Sequence, residues 1–111
     1  MGSNNLGDEG IEILASCDLF SEVKTINLEQ NGITERGAKA LATSSALTKL
    51  TSLNLVDNRI GDQGALAIAD SDILSNLIYL HLGGNRVKSE ATKIALRESK
   101  NLSQLKTLKV F

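Results

Sequence analysis

The chain has 111 residues, 41% of them apolar but only 3% aromatic, and a formal net charge of −1. That length suits one domain with a modest core of Leu, Ile, Val and Ala, and the mixed charges leave no basic stripe for nucleic acid or an anionic membrane. A lone cysteine, Cys17, excludes an internal disulfide framework and fits a reducing compartment. No apolar run approaches the roughly 18 residues that span a bilayer, and the amino terminus lacks a signal-peptide apolar region, so a cytoplasmic location is expected.

Taken in order, the chain opens on Asn4-Asn5-Leu6-Gly7-Asp8-Glu9-Gly10. This stretch matches Asn31-Gly32-Ile33-Thr34-Glu35-Arg36-Gly37 and Asn58-Arg59-Ile60-Gly61-Asp62-Gln63-Gly64 position by position. A degraded copy, Asn85-Arg86-Val87-Lys88-Ser89-Glu90-Ala91, follows. Asn4, Asn31, Asn58 and Asn85 are evenly spaced, and a period in the range of about 20–50 residues marks a solenoid whose units bury their apolar sides against one another. Leu6, Ile33, Ile60 and Val87 are the apolar residues of otherwise polar loops and should point inward. Thr34, Asp62 and Ser89 read as helix N-terminal signals.

Four amphipathic stretches come next: Ile11, Ile13, Leu14 and Ala15; Ala38, Leu41 and Ala42; Ala65, Leu66, Ile68 and Ala69; Ile94, Ala95 and Leu96. Helical spacing with polar residues between them predicts short helices with one buried face. Phe20, Leu47, Leu74 and Leu102 then turn the chain back. The last of these steps is longer than the others by a single position, so one extra residue should bulge on the outer side without disturbing the strands.

Strands are predicted at Val23–Leu28, Leu50–Leu55, Leu77–Leu82 and Leu105–Val110. Their alternation sets Ile26/Leu28, Leu53/Leu55, Leu80/Leu82 and Leu108/Val110 on one face. Strand followed by helix at every step implies right-handed connections and a parallel sheet with all helices on one side. A doubly wound sheet would need almost wholly apolar strands, and here one strand face is polar. The boundaries that follow are a partial repeat at 1–22, full repeats at 23–49, 50–76 and 77–104, and a partial repeat at 105–111, all in one domain.

Leu50-Thr51-Ser52-Leu53-Asn54-Leu55-Val56-Asp57-Asn58 spells Leu-x-x-Leu-x-Leu-x-x-Asn, and the pattern recurs at 77–85 and, with Val and Ile substituted, at 23–31. These residues resemble the leucine-rich-repeat family. The unit length and helices such as Gly64-Ala65-Leu66-Ala67-Ile68-Ala69 look like its ribonuclease-inhibitor subtype. The resemblance implies a βα horseshoe segment with a parallel sheet on the concave face, helices on the convex face, and protein binding on the concave side. It implies no shared chemistry. Asn31, Asn58 and Asn85 are read as scaffold, their carboxamides bonding main chain rung after rung. Gly10, Gly37 and Gly64 are read as permitting close packing.

If the apolar strand positions face the helices, their neighbours form the concave surface. One row is Thr25, Ser52, Tyr79 and Thr107; the next is Asn27, Asn54, His81 and Lys109; the third is Glu29, Val56, Gly83 and Phe111. The partner-binding set expected here is Tyr79, His81, Val56, Asn54, Asn27, Glu29, Asp57 and Lys109. Tyr79, the sole tyrosine, is the first choice for an aromatic anchor. Charge runs from acidic at Glu29 and Asp57 to basic at Lys109, and Gly83-Gly84 offers open backbone. His81, the sole histidine, is read as a polar contact, since an open sheet offers it no nucleophile or oxyanion hole. No enzyme activity, cofactor or metal site is expected.

Three further expectations complete the reading. The function is protein binding, with regulation of a small GTPase (Arg59 and Arg86 as the residues to watch) and a structural fragment of a longer array as alternatives. Bacterial effector, receptor segment and inhibitor are not distinguishable from these residues. The chain opens on a helix and closes on a strand, which suggests a piece of a longer array or copies docking head to tail.

Overall fold

A computed structural model describes residues 5–111. The expectation for Asn4 lies outside the described residues. The elements run α1 (Gly7–Ala15), β1 (Thr25–Asn27), α2 (Glu35–Thr43), β2 (Ser52–Asn54), α3 (Gly61–Ala69), β3 (Tyr79–His81), α4 (Glu90–Arg97) and β4 (Thr107–Lys109), with a single 3-10 turn at Asp18–Phe20. The four strands pair in parallel in chain order. Register sets Thr25 beside Ser52, Ser52 beside Tyr79, and Tyr79 beside Thr107. The step from β3 to β4 is therefore the longer one, and strand phase stays intact across it. The extra residue sits just after α4, on the helix side, as the serine bonds described below show.

The strands are three residues long, shorter than expected. Before each strand the chain is still turning: Leu50 N–H donates to Leu47 O and Leu77 N–H to Leu74 O. The alternation nevertheless holds. Ile26, Leu28, Leu53, Leu55, Leu80 and Leu82 are buried, while Leu108 on the edge strand and Val110 just after it are half-buried. Leu47, Leu74 and Leu102 are buried at the return turns, and Phe20 is half-buried.

Helix faces match in the middle of the stack and less well at its ends. In α2, Gly37, Ala38, Leu41 and Ala42 are buried; in α3, Gly64, Ala65, Ile68 and Ala69. Ile13 and Ile94, expected on the buried face, are 71% and 44% exposed. They share one position with Ala40 and Ala67, on the convex side of the helices. Thr34 caps α2 by accepting from Arg36 N–H at 3.3 Å. Asp62 does not cap α3, which begins one residue earlier at Gly61, and Ser89 precedes α4 without a side-chain cap bond.

Close packing of consecutive helices depends on glycine. A Cβ on Gly64 would lie 2.5 Å from Ile60 Cγ2 and 3.2 Å from both Ala38 Cβ and Glu35 Cα. Alanine gains about 1 kcal/mol over glycine inside a helix, but overpacking costs about 1–3 kcal/mol. Gly64→Ala is therefore expected to lower stability by about 1 kcal/mol, read as a drop in urea midpoint at unchanged slope.

Two rails of side-chain bonds bind the coils together. On the inner side, Asn58 Oδ1 accepts from Asn31 N–H (2.9 Å) and Ile33 N–H (3.1 Å), and its Nδ2 donates to Leu28 O and Leu55 O, both at 2.9 Å. Asn31 accepts from Leu6 N–H, and Asn85 accepts from Ile60 N–H while donating to Leu55 O. All three asparagines are buried, as a main-chain ladder requires. The outer rail has no counterpart among the expectations from sequence. Ser44 Oγ donates to Ala15 O, Ser71 Oγ to Ala42 O and Ser99 Oγ to Ala69 O. Each of these hydroxyls also accepts from a backbone N–H in the following turn. Ser99 lies one position further from Ser71 than Ser71 does from Ser44, which places the extra residue between Leu96 and Ser99. Cys17, half-buried, occupies the same position in the first coil.

Acidic side chains add a third link. Asp8 Oδ1 accepts from Thr34 N–H (2.9 Å) and Gly37 N–H (2.8 Å), and Oδ2 from Thr34 Oγ1 (2.5 Å). Burial opposes ionisation of Asp8, yet these bonds together outweigh it and hold the carboxyl below its ordinary value. Asp62 repeats the reach, accepting from Lys88 and Ser89 N–H.

Candidate functional site

The sheet brings the expected surface residues into adjacent rows. Asn27, Asn54, His81 and Lys109 are consecutive partners across the four strands. Beyond the strands, Gln30 N–H donates to Val56 O and Asp57 N–H to Gly83 O, which keeps the row of Glu29, Val56 and Gly83 in step. Tyr79, His81, Val56, Asn54 and Glu29 are half-buried; Asn27, Asp57 and Lys109 are exposed. Each therefore offers surface on the side opposite the helices.

The rings form a connected train. Tyr79 and His81 meet edge to face with centroids 6.3 Å apart, and His81 meets Phe111 in the same manner at 5.9 Å. Lys109 Nζ lies 5.9 Å from the Tyr79 ring centre, within cation–π range. Phe111, 72% exposed, belongs to this cluster although it is not among the residues expected to bind. Gly83 is not the open backbone expected of it. It is buried, and a Cβ there would lie 2.7 Å from both His81 Cε1 and Phe111 Cζ, so the rings fill the space that glycine leaves.

The middle row carries a structural duty that residue type alone does not reveal. Asn27 Oδ1 accepts from Glu29 N–H (3.2 Å), Asn54 Oδ1 from Val56 N–H (3.0 Å) and His81 Nδ1 from Gly83 N–H (3.1 Å). The imidazole thus does what the carboxamides do, closing the strand end on the N–H two residues on. With Nδ1 accepting, the ring proton sits on Nε2, and no hydrogen bond joins the ring to Asp57 or Glu29 among the described residues. Burial first, then the Lys109 ammonium, lower the His81 pKa from 6.5, while Asp57 and Glu29 pull weakly upward. The unfolded chain therefore takes up this proton first, and stability falls as pH drops below about 6.5. In an NMR titration, Lys109→Ala should raise the His81 pKa and Asp57→Asn should lower it further; no change in either variant would remove this account.

Arg59 and Arg86 stand exposed at the loop edge, with Arg86 in the left-handed backbone region at φ 62°. Among the described residues no group of three or more His, Cys, Asp or Glu side chains could hold a metal ion. No helix is long and apolar enough to cross a membrane among those residues.

The family model described as Leucine Rich repeat matches residues 1–15, 23–42 and 46–69, more than half of the chain. The chain belongs to the leucine-rich-repeat family. Among solved structures, this leucine-rich-repeat chain is similar to one described as Leiomodin-1 Actin-Binding Site 2, with a TM-score of 0.78 and 22% identity, covering 99% of this chain and 67% of that one. At that identity the likeness shows the fold. No curated protein matches the sequence. The leucine-rich repeats thus account for the strands, the inward leucines and the asparagine rail, and the outward rows are where this member differs from coil to coil.

Proposed function

We propose that this leucine-rich-repeat module holds a protein partner against its concave strand face, with Tyr79 and His81 at the centre of the contact. The observation that carries the proposal is the train of three rings beside one another, since Tyr79 and His81, half-buried on a fixed strand, lose little entropy on binding. Val56 adds an apolar contact beside them. Glu29 and Asp57 make one side of the surface acidic and Lys109 makes the other basic, so a complementary partner segment carries its charges in the opposite order. Asn27 and Asn54 have one carboxamide oxygen engaged and an amide left to donate outward. The role is binding, not catalysis.

The test is site-specific photocrosslinking. A photoreactive phenylalanine in place of Tyr79 should capture the partner, and the same group in place of Ile13 on the convex side should not. Actin, named in the structural neighbour's description, is a reasonable first probe. Tyr79→Ala with His81→Ala should weaken binding about thirty-fold, the scale of a hot-spot loss of about 2 kcal/mol. Capture from the convex side alone would rule out the concave assignment.

A further inference from the structure

The row of Asn27, Asn54, His81 and Lys109 is one-sided in its hydrogen bonding. Asn27 Oδ1, Asn54 Oδ1 and His81 Nδ1 are each engaged by the main-chain N–H two residues on. What each side chain has left is a donor: Nδ2 of the two asparagines, Nε2–H of the imidazole and, on the fourth strand, the Lys109 ammonium. None of these four donors meets an acceptor within the chain among the described residues. No buried side-chain nitrogen or oxygen lacks a partner there, so the donors of half-buried Asn54 and His81 reach solvent. Asn27 and Lys109 are exposed. The flanking rows differ. Thr25, Ser52, Tyr79 and Thr107 carry hydroxyls that either give or take a bond, while Glu29 and Asp57 only accept.

We propose that this row seats a partner helix lying across the strands, with a stripe of aspartate or glutamate side chains turned to the sheet. This occupant belongs to the concave face described above, and its assignment rests on that reading. A row that offers only donors selects oxygen acceptors, and the Lys109 cation selects carboxylates over amides. Spacing selects the helix. Adjacent strands lie about 4.8 Å apart, so the row spans about 14 Å from Asn27 to Lys109. Helix positions i, i+3, i+7 and i+10 share a face and span about 15 Å at a rise of about 1.5 Å per residue. An extended segment turns a side chain to one face only about every 6.8 Å and covers about 20 Å over four such positions, which puts it out of step by more than one strand. Tyr79 flanks the row on one side, where an apolar residue of the helix meets its ring. Glu29 and Asp57 flank the other side and favour lysine or arginine there. The partner is thus an amphipathic helix with an acidic stripe and a basic flank.

The probe is a lactam-bridged, alanine-based helix of about 16 residues with glutamate at i, i+3, i+7 and i+10, titrated into the isotope-labelled chain and followed by NMR. The side-chain amide signals of Asn27 and Asn54 and the His81 Nε2 signal should shift together. The affinity should be about ten-fold tighter than that of a helix of the same composition whose glutamates are spread round the axis. Asn54→Asp separates the two duties of the row. Its carboxylate still accepts from Val56 N–H, so the urea midpoint should hold, but an acceptor now faces outward. The stripe helix should bind this variant about ten-fold more weakly, and replacing one of its two inner glutamates by lysine should restore the affinity. No binding at about 2 mM probe, equal binding of the two helices, or an Asn54→Asp chain that binds the stripe undiminished would overturn the proposal. If Tyr79 then still captures a partner by photocrosslinking, the concave reading stands with another occupant; if capture comes from the Ile13 side alone, that reading fails as well.

Discussion

Asn58→Ala should lower the unfolding free energy by about 4 kcal/mol, the heaviest loss expected from any single polar residue here. Truncation strands two buried donors, Asn31 N–H and Ile33 N–H, together with the Leu28 carbonyl. The Leu55 carbonyl keeps its bond from Asn85 and is spared. Each stranded buried group costs about 1–3 kcal/mol, against a total stability of about 5–15 kcal/mol for a domain of this size. Chemical denaturation reads the effect directly. Asn58→Asp separates donor from acceptor. It keeps both accepting roles but turns a carboxylate toward the Leu28 and Leu55 carbonyls, so it should be the worse variant at neutral pH. Its carboxyl would have a raised native pKa, and acidification through that value should restore part of the loss by returning a donor. Asn54→Ala is the control: its one bond, to Val56 N–H, is at the half-buried surface where water replaces it, and about 0.5–1 kcal/mol is expected. Equal losses at Asn54 and Asn58 would mean that the inner rail has no special weight.

Leu53→Ala should cost about 3–4 kcal/mol. Leu53 is wholly buried, flanked in register by Ile26 and Leu80, with helices above and neighbouring strands on both sides. The neighbours belong to ladders fixed at both edges, so the cavity cannot collapse and the cavity cost adds to the lost transfer energy. Leu108→Ala, at the same position on β4, removes a half-buried side chain and should cost about 1–2 kcal/mol in dilute solution. A matched pair of urea titrations gives the comparison. A loss at Leu108 equal to that at Leu53 would show that half-burial on β4 does not lessen the contribution of the inward leucine.

Much of this structure can be read from the residues. The alternation at Leu53/Leu55 and Leu80/Leu82 decides which side of each strand is buried, because a period of two admits only one inside. The rows through Tyr79 and His81 follow from a repeat step that is constant over the first three strands and one residue longer at the fourth, and the asparagine rail from its recurrence. Other features are hidden for physical reasons. The serines at 44, 71 and 99 recur almost as regularly as the asparagines, but a hydroxyl suits solvent as well as a carbonyl and so carries no plain signal. The expected strands are too long because apolar spacing continues through turns where main-chain pairing has not begun. As a residue class His81 reads as a free surface group; that an imidazole nitrogen can replace a carboxamide oxygen depends on ring geometry instead. Gly83 looks like empty space in the sequence because the Phe111 ring that fills it arrives across the sheet, from the following coil.

The bonds that close the strand ends set two columns of the concave surface under different physical constraint. At 27, 54 and 81 an acceptor two residues before a waiting N–H adds about 0.5–1 kcal/mol, which Asn and His both supply and which Lys109, in the same row, forgoes. At 25, 52, 79 and 107 no such condition is visible, and Thr, Ser and Tyr already stand there in turn. New specificities should therefore arise first along that second column, one coil at a time, with the stability of the array untouched.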